Sequence, residues 1–179
     1  MRVIAGRHRG ARLHAPRGEA TRPTSDRVRE ALFSILASVT DERVLDLFAG
    51  SGALGIEALS RGAASAVFVD SALAAVSAVR RNLEALGLET EADVVRRPAI
   101  AFLEGAAIRG AQYDLVFVDP PYRLASAVGP ELSAALTPVL APDARVVAES
   151  DRRAPLVLDL PLADERRYGD TLIRIHGAR

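Results

Sequence analysis

Residues 44–55 read Val-Leu-Asp-Leu-Phe-Ala-Gly-Ser-Gly-Ala-Leu-Gly and decide which fold we predict for the chain. The first half is mostly apolar and is typical of a buried strand, and the apolar stretch beyond it, through Leu59, has helical spacing. Glycines at a bend between a strand and a helix let the backbone approach a ligand closely, and the helix amino terminus favours negative charge. The segment therefore predicts a ligand-binding loop.

The next predicted strand, residues 66–69, ends on Asp70, where a carboxylate can accept hydrogen bonds from both hydroxyls of a ribose. The glycines at 50, 52 and 55 fit the G-x-G-x-x-G pattern, so a nicotinamide or flavin dinucleotide is one candidate ligand. Asp46 argues against it, because dinucleotide sites usually keep apolar residues in that strand. A carboxylate at this position instead suits a cofactor that carries a positive amino group.

A second motif follows the apolar strand predicted at 113–118, where the chain continues Asp119-Pro120-Pro121-Tyr122. The prolines fix φ and remove two backbone donors, so they cannot extend a sheet. Asp119 and the Pro120 carbonyl can accept the two N–H bonds of an amino group, while Tyr122 offers a face for stacking on a flat ring. The structural alternative is a simple turn in which Tyr122 covers the core.

Predicted strands and helices alternate along the chain, which indicates an α/β fold with a doubly wound parallel sheet. Two further extended stretches, at 164–167 and 172–176, flank a turn. A helix before the first strand has Thr24 or Ser25 as its predicted N-cap and ends near Ser38. The predicted strands lie near 44–48, 66–70, 92–96, 113–118 and 144–149, and the other helices near 53–61, 72–86, 99–107 and 126–140. The first helix is predicted to bury Val28, Leu32, Ile35 and Leu36.

The amino-terminal segment concentrates positive charge. Residues 1–29 contain eight arginines and two acidic residues, a net charge of +6, whereas the whole chain has a net charge of zero. Residues 3–5 and 11–14 are predicted to pair as a β-hairpin across a turn with two glycines. We expect a phosphate-binding arm, and a solvated basic tail is the alternative. The nucleic-acid-binding candidates are Arg7, Arg9, Arg12, Arg22 and Arg27.

Composition bounds the chemistry. The chain has 179 residues and is 49% hydrophobic, which suffices for one buried core. It has no cysteine, which excludes disulfides, thiolate metal sites and a cysteine nucleophile, as needed to methylate the fifth carbon of cytosine. The three histidines are too scattered to suggest a metal site. Basic residues directly follow Met1 and no apolar run has the length of a membrane span, so we expect a cytoplasmic protein with no membrane partner.

Four sequence blocks together resemble the class I S-adenosylmethionine-dependent methyltransferases, and most closely the RsmD family. These blocks are Arg2–Ala5 with Gly6, Arg9 and Gly10; residues 22–33; residues 45–55; and Asp-Pro-Pro-Tyr at 119–122. The resemblance covers nearly the whole chain. It implies a mostly parallel, seven-stranded, Rossmann-like sheet with an amino-terminal hairpin, divided into an arm at 1–23 and a methyltransferase domain at 24–179.

The resemblance also implies roles for the candidate residues. The cofactor would be S-adenosyl-L-methionine, with its methionine end at Asp46 and at the backbone of Gly50, Ser51 and Gly52, its ribose at Asp70 and its adenine at the backbone of Ala99. Pro98 departs from the family pattern, which usually has an acidic or amide residue there. The catalytic residues would be Asp119, Pro120 and Tyr122, which would hold the exocyclic amino group of an unpaired or flipped guanine. The acceptor would be ribosomal RNA of the small subunit, free or partly assembled, and the enzyme a monomer.

Other functions are compatible with the same motifs. Asp-Pro-Pro-Tyr also occurs in methyltransferases that act on adenine amino groups in DNA, and Asn-Pro-Pro-Tyr in those that modify glutamine in release factors. The aspartate and the basic arm favour nucleic acid, but the residues alone do not distinguish RNA from DNA. A non-catalytic assembly factor that binds cofactor and RNA is a third possibility.

Overall fold

The computed structural model describes residues 1–16 and 25–177, with side chains for all of these except 122–127. Within this part of the chain, five α-helices alternate with the first five of seven strands, and the last two strands follow directly, in the order that the sequence predicts. The helices are α1 (Asp26–Leu36), α2 (Ala53–Ser60), α3 (Leu73–Leu86), α4 (Ala99–Ile108) and α5 (Tyr122–Leu136). The strands are β1 (Arg43–Leu47), β2 (Ser65–Asp70), β3 (Ala92–Arg96), β4 (Tyr113–Val118), β5 (Leu140–Asp151), β6 (Leu162–Tyr168) and β7 (Thr171–Gly177).

The described strands form one sheet in the order β3-β2-β1-β4-β5-β7-β6. The first five strands are parallel, and β7 pairs antiparallel with both β5 and β6. The predicted doubly wound, mostly parallel, seven-stranded sheet is thus confirmed. The strand order reverses between β1 and β4, and ligands of such sheets bind outside the carboxyl ends of the strands at this switch point. We call the end of the sheet where β1 to β5 finish the carboxyl edge.

Each face of the sheet has its own hydrophobic core. Apolar residues of α1, α2 and α3 pack on one face, against Phe68, Phe117 and Val147. Those of α4 and α5 pack on the other face, against Leu45, Val116 and Val146. Strand residues alternate between the two faces, so Asp46, Phe117 and Val147 share the first face. No helix among residues 1–16 and 25–177 is long and apolar enough to cross a membrane.

Some element boundaries differ from the prediction. Ser25 is the N-cap of α1, as expected, and accepts a hydrogen bond from the Val28 amide at 3.3 Å. The helix ends two residues early, because Ala37 has a positive φ of 58°. Helix α5 begins at Tyr122 rather than near 126, since Pro121 directly before it has a φ of −51°, which suits the start of a helix.

Residues 1–14 form the predicted hairpin as an N-terminal ribbon with a single antiparallel bridge between Arg2 and Arg12. The ribbon packs firmly on the helices, because Val3 and Leu13 are 1% and 6% exposed and belong to the core of the first face. The amides of Ile4 and Ala5 donate to the buried carboxylate of Glu57 in α2, at 2.7 and 3.0 Å. The ribbon is therefore part of the folded body.

Candidate functional site

The loop between β1 and α2, which we call the glycine loop (residues 48–52), needs left-handed backbone. Phe48, Gly50 and Gly52 have φ values of 60°, 56° and 76°. Gly52 is the N-cap of α2 and has no side chain that could cap the helix. The amides of Ala53 and Leu54 therefore present their partial positive charge at the carboxyl edge, whereas the third amide of this turn, that of Gly55, donates to Asp46. The loop is thus open to a ligand that carries acceptor groups.

Two side chains from outside hold the glycine loop in place. The Gly50 amide donates to the carboxylate of Asp70 at the end of β2, at 3.0 Å. The other Asp70 oxygen accepts from the Ala72 amide at 2.9 Å. The buried Asn82 amide in α3 donates to the Ser51 carbonyl at 2.9 Å. Asp70 lies where the sequence predicted it, and it also shapes the loop.

Asp46 is a buried acid on β1 beneath the glycine loop, only 2% exposed. Its carboxylate accepts a hydrogen bond from the Gly55 amide at 3.0 Å. Burial raises the pKa of Asp46 to about 7; the Gly55 hydrogen bond opposes that rise, and the negative charge of Asp70 adds to it. A bound cation would offset the cost of ionising this group.

Gly55 allows this close approach of helix and strand. A Cβ atom added to Gly55 would lie 2.4 Å from Cε1 of Phe68 and 3.2 Å from Oδ2 of Asp46. A larger residue would therefore displace α2 from β1 and β2. The third glycine of the G-x-G-x-x-G pattern serves helix packing in this structure.

The second motif lies at the same edge. Asp119 directly follows β4, the strand next to β1, and Asp46 pairs in register with Phe117, two residues before it. Asp119 is half-buried and Pro120 is buried. Desolvation raises the pKa of the Asp119 carboxyl well above its usual range, and the charges of Glu149 and Asp46 raise it further. Tyr122 begins α5, and its side chain lies outside the described side chains.

The structure brings the predicted cofactor and catalytic residues to one edge of the sheet. Ala99 is the first residue of α4 and is 8% exposed, and Pro98 is the N-cap of that helix. The loop before α4 is tied to β2 through a hydrogen bond from the Arg97 amide to the Asp70 carbonyl. The remaining members of this group are Asp46, Gly50, Ser51, Gly52, Asp119 and Pro120.

The predicted nucleic-acid-binding arginines are spread more widely. Arg7, Arg9, Arg12 and Arg27 are exposed, and Arg22 lies outside the described residues. The Arg7 amide donates to the carbonyl of Ser60, the last residue of α2, and its guanidinium pairs with Glu91. Because α2 starts at the carboxyl edge and is eight residues long, the tip of the ribbon lies roughly 12 Å from that edge along the helix.

Three buried polar residues were not among the site residues predicted from the sequence. Glu149 in β5 is 6% exposed, Asn82 in α3 is fully buried, and Arg29 in α1 is fully buried with its guanidinium on Asp26 and the Arg2 carbonyl. The signal for Glu149 is a carboxylate at the end of an apolar strand, as at Asp119. The signal for Asn82 is an amide between the apolar residues Val79 and Leu83. Across the described residues no group of acids and histidines could hold a metal ion.

Known proteins resemble this chain over its whole length. A family model described as Conserved hypothetical protein 95 matches residues 1–177. The Escherichia coli K12 protein named Ribosomal RNA small subunit methyltransferase D is 47% identical over 124 residues, which cover 69% of this chain and 61% of that protein. The match therefore spans less than two thirds of that relative.

Solved structures share the fold. That of the Escherichia coli protein yhhF has a TM-score of 0.84 and 37% identity, and covers 100% of this chain and 98% of its own. An RNA methyltransferase from Salinibacter ruber, solved in complex with S-adenosyl-L-homocysteine, has a TM-score of 0.66 and covers 87% of this chain and 92% of its own; at 18% identity it shows the fold alone. The family match over residues 1–177 shows that this protein belongs to the RsmD family, the family that its four sequence blocks resemble.

Proposed function

We propose that this protein transfers the methyl group of S-adenosyl-L-methionine to the exocyclic amino group of a guanine in small-subunit ribosomal RNA. One observation carries the proposal: two hydrogen-bond acceptors, the Asp119 carboxylate and the Pro120 carbonyl, lie at the same sheet edge as the glycine loop and the buried acid Asp46. The Escherichia coli relative named as a small-subunit ribosomal RNA methyltransferase supports the same class of substrate.

The described residues suit the cofactor. Asp46 is buried beneath the loop, where its carboxylate can balance a positive amino group, and the first-turn amides of α2 suit a carboxylate. Asp70 has both oxygens on backbone amides, and each oxygen keeps a second lone pair for a ribose hydroxyl. The backbone at Ala99 would receive the adenine. The chemistry that the cofactor supplies is a methyl group on a sulfonium.

On the acceptor side the protein mainly has to orient a nitrogen. The two N–H bonds of the amino group would point at Asp119 and the Pro120 carbonyl, which directs the lone pair toward the methyl group. Transfer of that methyl group would exchange a C–S bond for an N–C bond, and the amino nitrogen would then have to release one proton. Asp119, whose pKa is raised, is placed to accept that proton. Tyr122 would stack on the base.

The RNA has to contact two separate surfaces. The base must enter at the carboxyl edge, unpaired or flipped, while Arg7 and Arg9 lie on the ribbon tip at the other end of α2. Arg12 in the ribbon and Arg27 in α1 are also exposed, and we propose that both contact RNA, together with Arg22. A substrate that reaches both surfaces suits a folded RNA or a partly assembled subunit. We propose that the protein acts as a cytoplasmic monomer, with residues 1–23 as its RNA arm.

The test is a transfer assay with labelled S-adenosyl-L-methionine and small-subunit ribosomal RNA, free and in partly assembled subunits. We expect labelled N2-methylguanosine from the parent protein. Asp119→Ala should lose at least 100-fold in rate, about 3 kcal/mol in the transition state, while cofactor affinity by calorimetry stays within a few-fold.

Asp70→Asn is the complementary variant and should chiefly weaken cofactor binding, because it loses the charge that orders both the loop and the ribose. Label in adenine, label in a protein, or cofactor binding without any transfer would each contradict the proposal.

A further inference from the structure

Glu149 lies beside Asp119 at the carboxyl edge. β4 and β5 are neighbouring parallel strands, in which Phe117 pairs with Val147 and Val118 with Ala148. Extending this register by one residue places Asp119 next to Glu149. Alternation along the strands puts both side chains on the face of Phe117 and Val147.

The electrostatics agree with this register. Of the charged neighbours that raise the pKa of the Asp119 carboxyl, Glu149 has the largest effect. Glu149 is only 6% exposed, and β7 covers its strand on the far side, where Glu149 pairs with Ile173. Two neighbouring carboxyl groups that are shielded from water oppose each other's ionisation. A ligand that donates several N–H groups to the two carboxylates would offset the free-energy cost of ionising both.

Guanine has the edge that fits two neighbouring carboxylates. Its exocyclic amino group is adjacent to the ring N1–H, so three donor hydrogens lie along one side of the base. Adenine also has an amino group, but its neighbouring N1 is an acceptor and would face a carboxylate across a lone-pair repulsion. If Asp119 and the Pro120 carbonyl hold the amino group, the N1–H beside it on the base would lie against the neighbouring strand, β5.

We propose that Glu149 determines base specificity by accepting the N1–H of the target guanine. The inference rests on the proposed function and adds the reason why the acceptor is guanine and not adenine. A carboxylate has about four lone-pair sites, so it can accept a base N–H in addition to hydrogen bonds from the protein.

The test uses an RNA substrate in which the target guanosine is replaced by 2-aminopurine, which keeps the 2-amino group but has an acceptor at N1. Single-turnover methylation rates are compared for guanine and 2-aminopurine. The parent protein should prefer guanine by 100-fold or more. With 2-aminopurine, the Glu149 carboxylate and the base N1 would face each other as two buried acceptors with no hydrogen between them, which is costly. In Glu149→Gln the amide can donate to the N1 of 2-aminopurine, so this ratio should fall at least tenfold.

The ratio of the guanine rate to the 2-aminopurine rate, measured within one variant, does not depend on how much of the protein is folded. 2-Aminopurine also lacks the O6 of guanine, and comparing this ratio between variants cancels the effect of that difference. Ser150→Ala is the matched control, since Ser150 is buried in the same strand on the opposite face and should keep the parent ratio. An unchanged ratio in Glu149→Gln, or equal parent rates on both bases, would overturn the role of Glu149 while leaving guanine methylation intact. No transfer to guanine by the parent would instead refute the proposed function.

Discussion

Asp46 is a single residue whose burial suits a binding site but lowers the stability of the ligand-free protein. The carboxyl is buried in a strand, has one backbone donor and has its pKa raised to about 7. In the unfolded chain the same group ionises near pH 4. Above that pH, folding must either bury the charge or bind a proton, so this group opposes folding increasingly as the pH rises from about 4 through 7. Such a cost is expected where a cationic ligand later binds.

Asp46→Asn should therefore stabilise the ligand-free protein, and more so at high pH. The amide oxygen can still accept from Gly55 but never ionises. We expect the gain in free energy of unfolding to be larger at pH 8 than at pH 5 by on the order of 2 kcal/mol. Urea unfolding of both proteins at the two pH values measures it, and a gain that is larger at pH 5 would contradict the account. The same variant should bind S-adenosyl-L-methionine more weakly than the parent.

The N-terminal ribbon shows what an element adds beyond its residues. Its tip is fixed to the end of α2, because the Arg7 amide donates to the Ser60 carbonyl at 2.8 Å and the Ser60 hydroxyl donates to the Ala5 carbonyl at 2.6 Å. Its other end is held by Asn82, whose amide both accepts from His14 at 2.8 Å and donates back to it at 3.0 Å. The same Asn82 side chain reaches the glycine loop at Ser51.

A pair of glycines tests how tightly the ribbon packs. Gly6 and Gly10 both have positive φ, of 82° and 86°. A Cβ at Gly6 would lie 1.8 Å from the Ser60 carbonyl oxygen, whereas a Cβ at Gly10 would meet no atom within 4 Å. Gly6→Ala should thus lower the thermal midpoint by several degrees more than Gly10→Ala, which adds only about 1 kcal/mol of backbone strain. Equal midpoints would mean that the ribbon tip is not seated on α2 in solution.

Asn82 should matter for the cofactor although it lies outside the predicted binding set. In Asn82→Ala the Ser51 carbonyl and both backbone groups of His14 lose their partner, so the glycine loop and the ribbon separate. We expect at least tenfold weaker binding of S-adenosyl-L-methionine by calorimetry. Ser133→Ala is the control, because Ser133 is an equally buried tie, to the Asp159 amide, on the other face of the sheet. A loss of affinity as large in the control would show that the effect is general destabilisation.

At the scale of the whole molecule, the sequence was sufficient for the sheet and for the edge where the site lies. Apolar runs that end on Asp70 and Asp119 mark strand ends, and parallel strands bring their carboxyl ends together. Glu149 and Asn82 were not predicted because their roles depend on register between β4 and β5 and on which side of α3 meets the ribbon. The course of the ribbon along α2 was not predictable either, since it depends on contacts 52 and 53 residues apart, from Ala5 and Ile4 to Glu57.

The charge on the ribbon predicts a salt-dependent interaction. If Arg7, Arg9 and Arg12 contact phosphates, replacing all three with alanine should weaken RNA binding. The slope of log affinity against log salt should flatten by roughly 0.7 to 0.9 per lost contact. Cofactor affinity should stay at the parent value. The control is the double variant Arg166→Ala with Arg167→Ala, which removes two exposed arginines from β6, the outermost strand on one side of the sheet. If the triple variant keeps the parent slope, these arginines do not contact phosphates and the arm is a solvated basic tail.

The most direct test of the central claim is mass-spectrometric mapping of methylated nucleosides in small-subunit ribosomal RNA. The RNA is taken from cells that carry the gene, from cells that lack it, and from cells that carry only Asp119→Ala. We expect one N2-methylguanosine that is present in the first RNA and absent from the other two. Identical nucleoside maps in all three, or a lost methyl group on adenine, would contradict it.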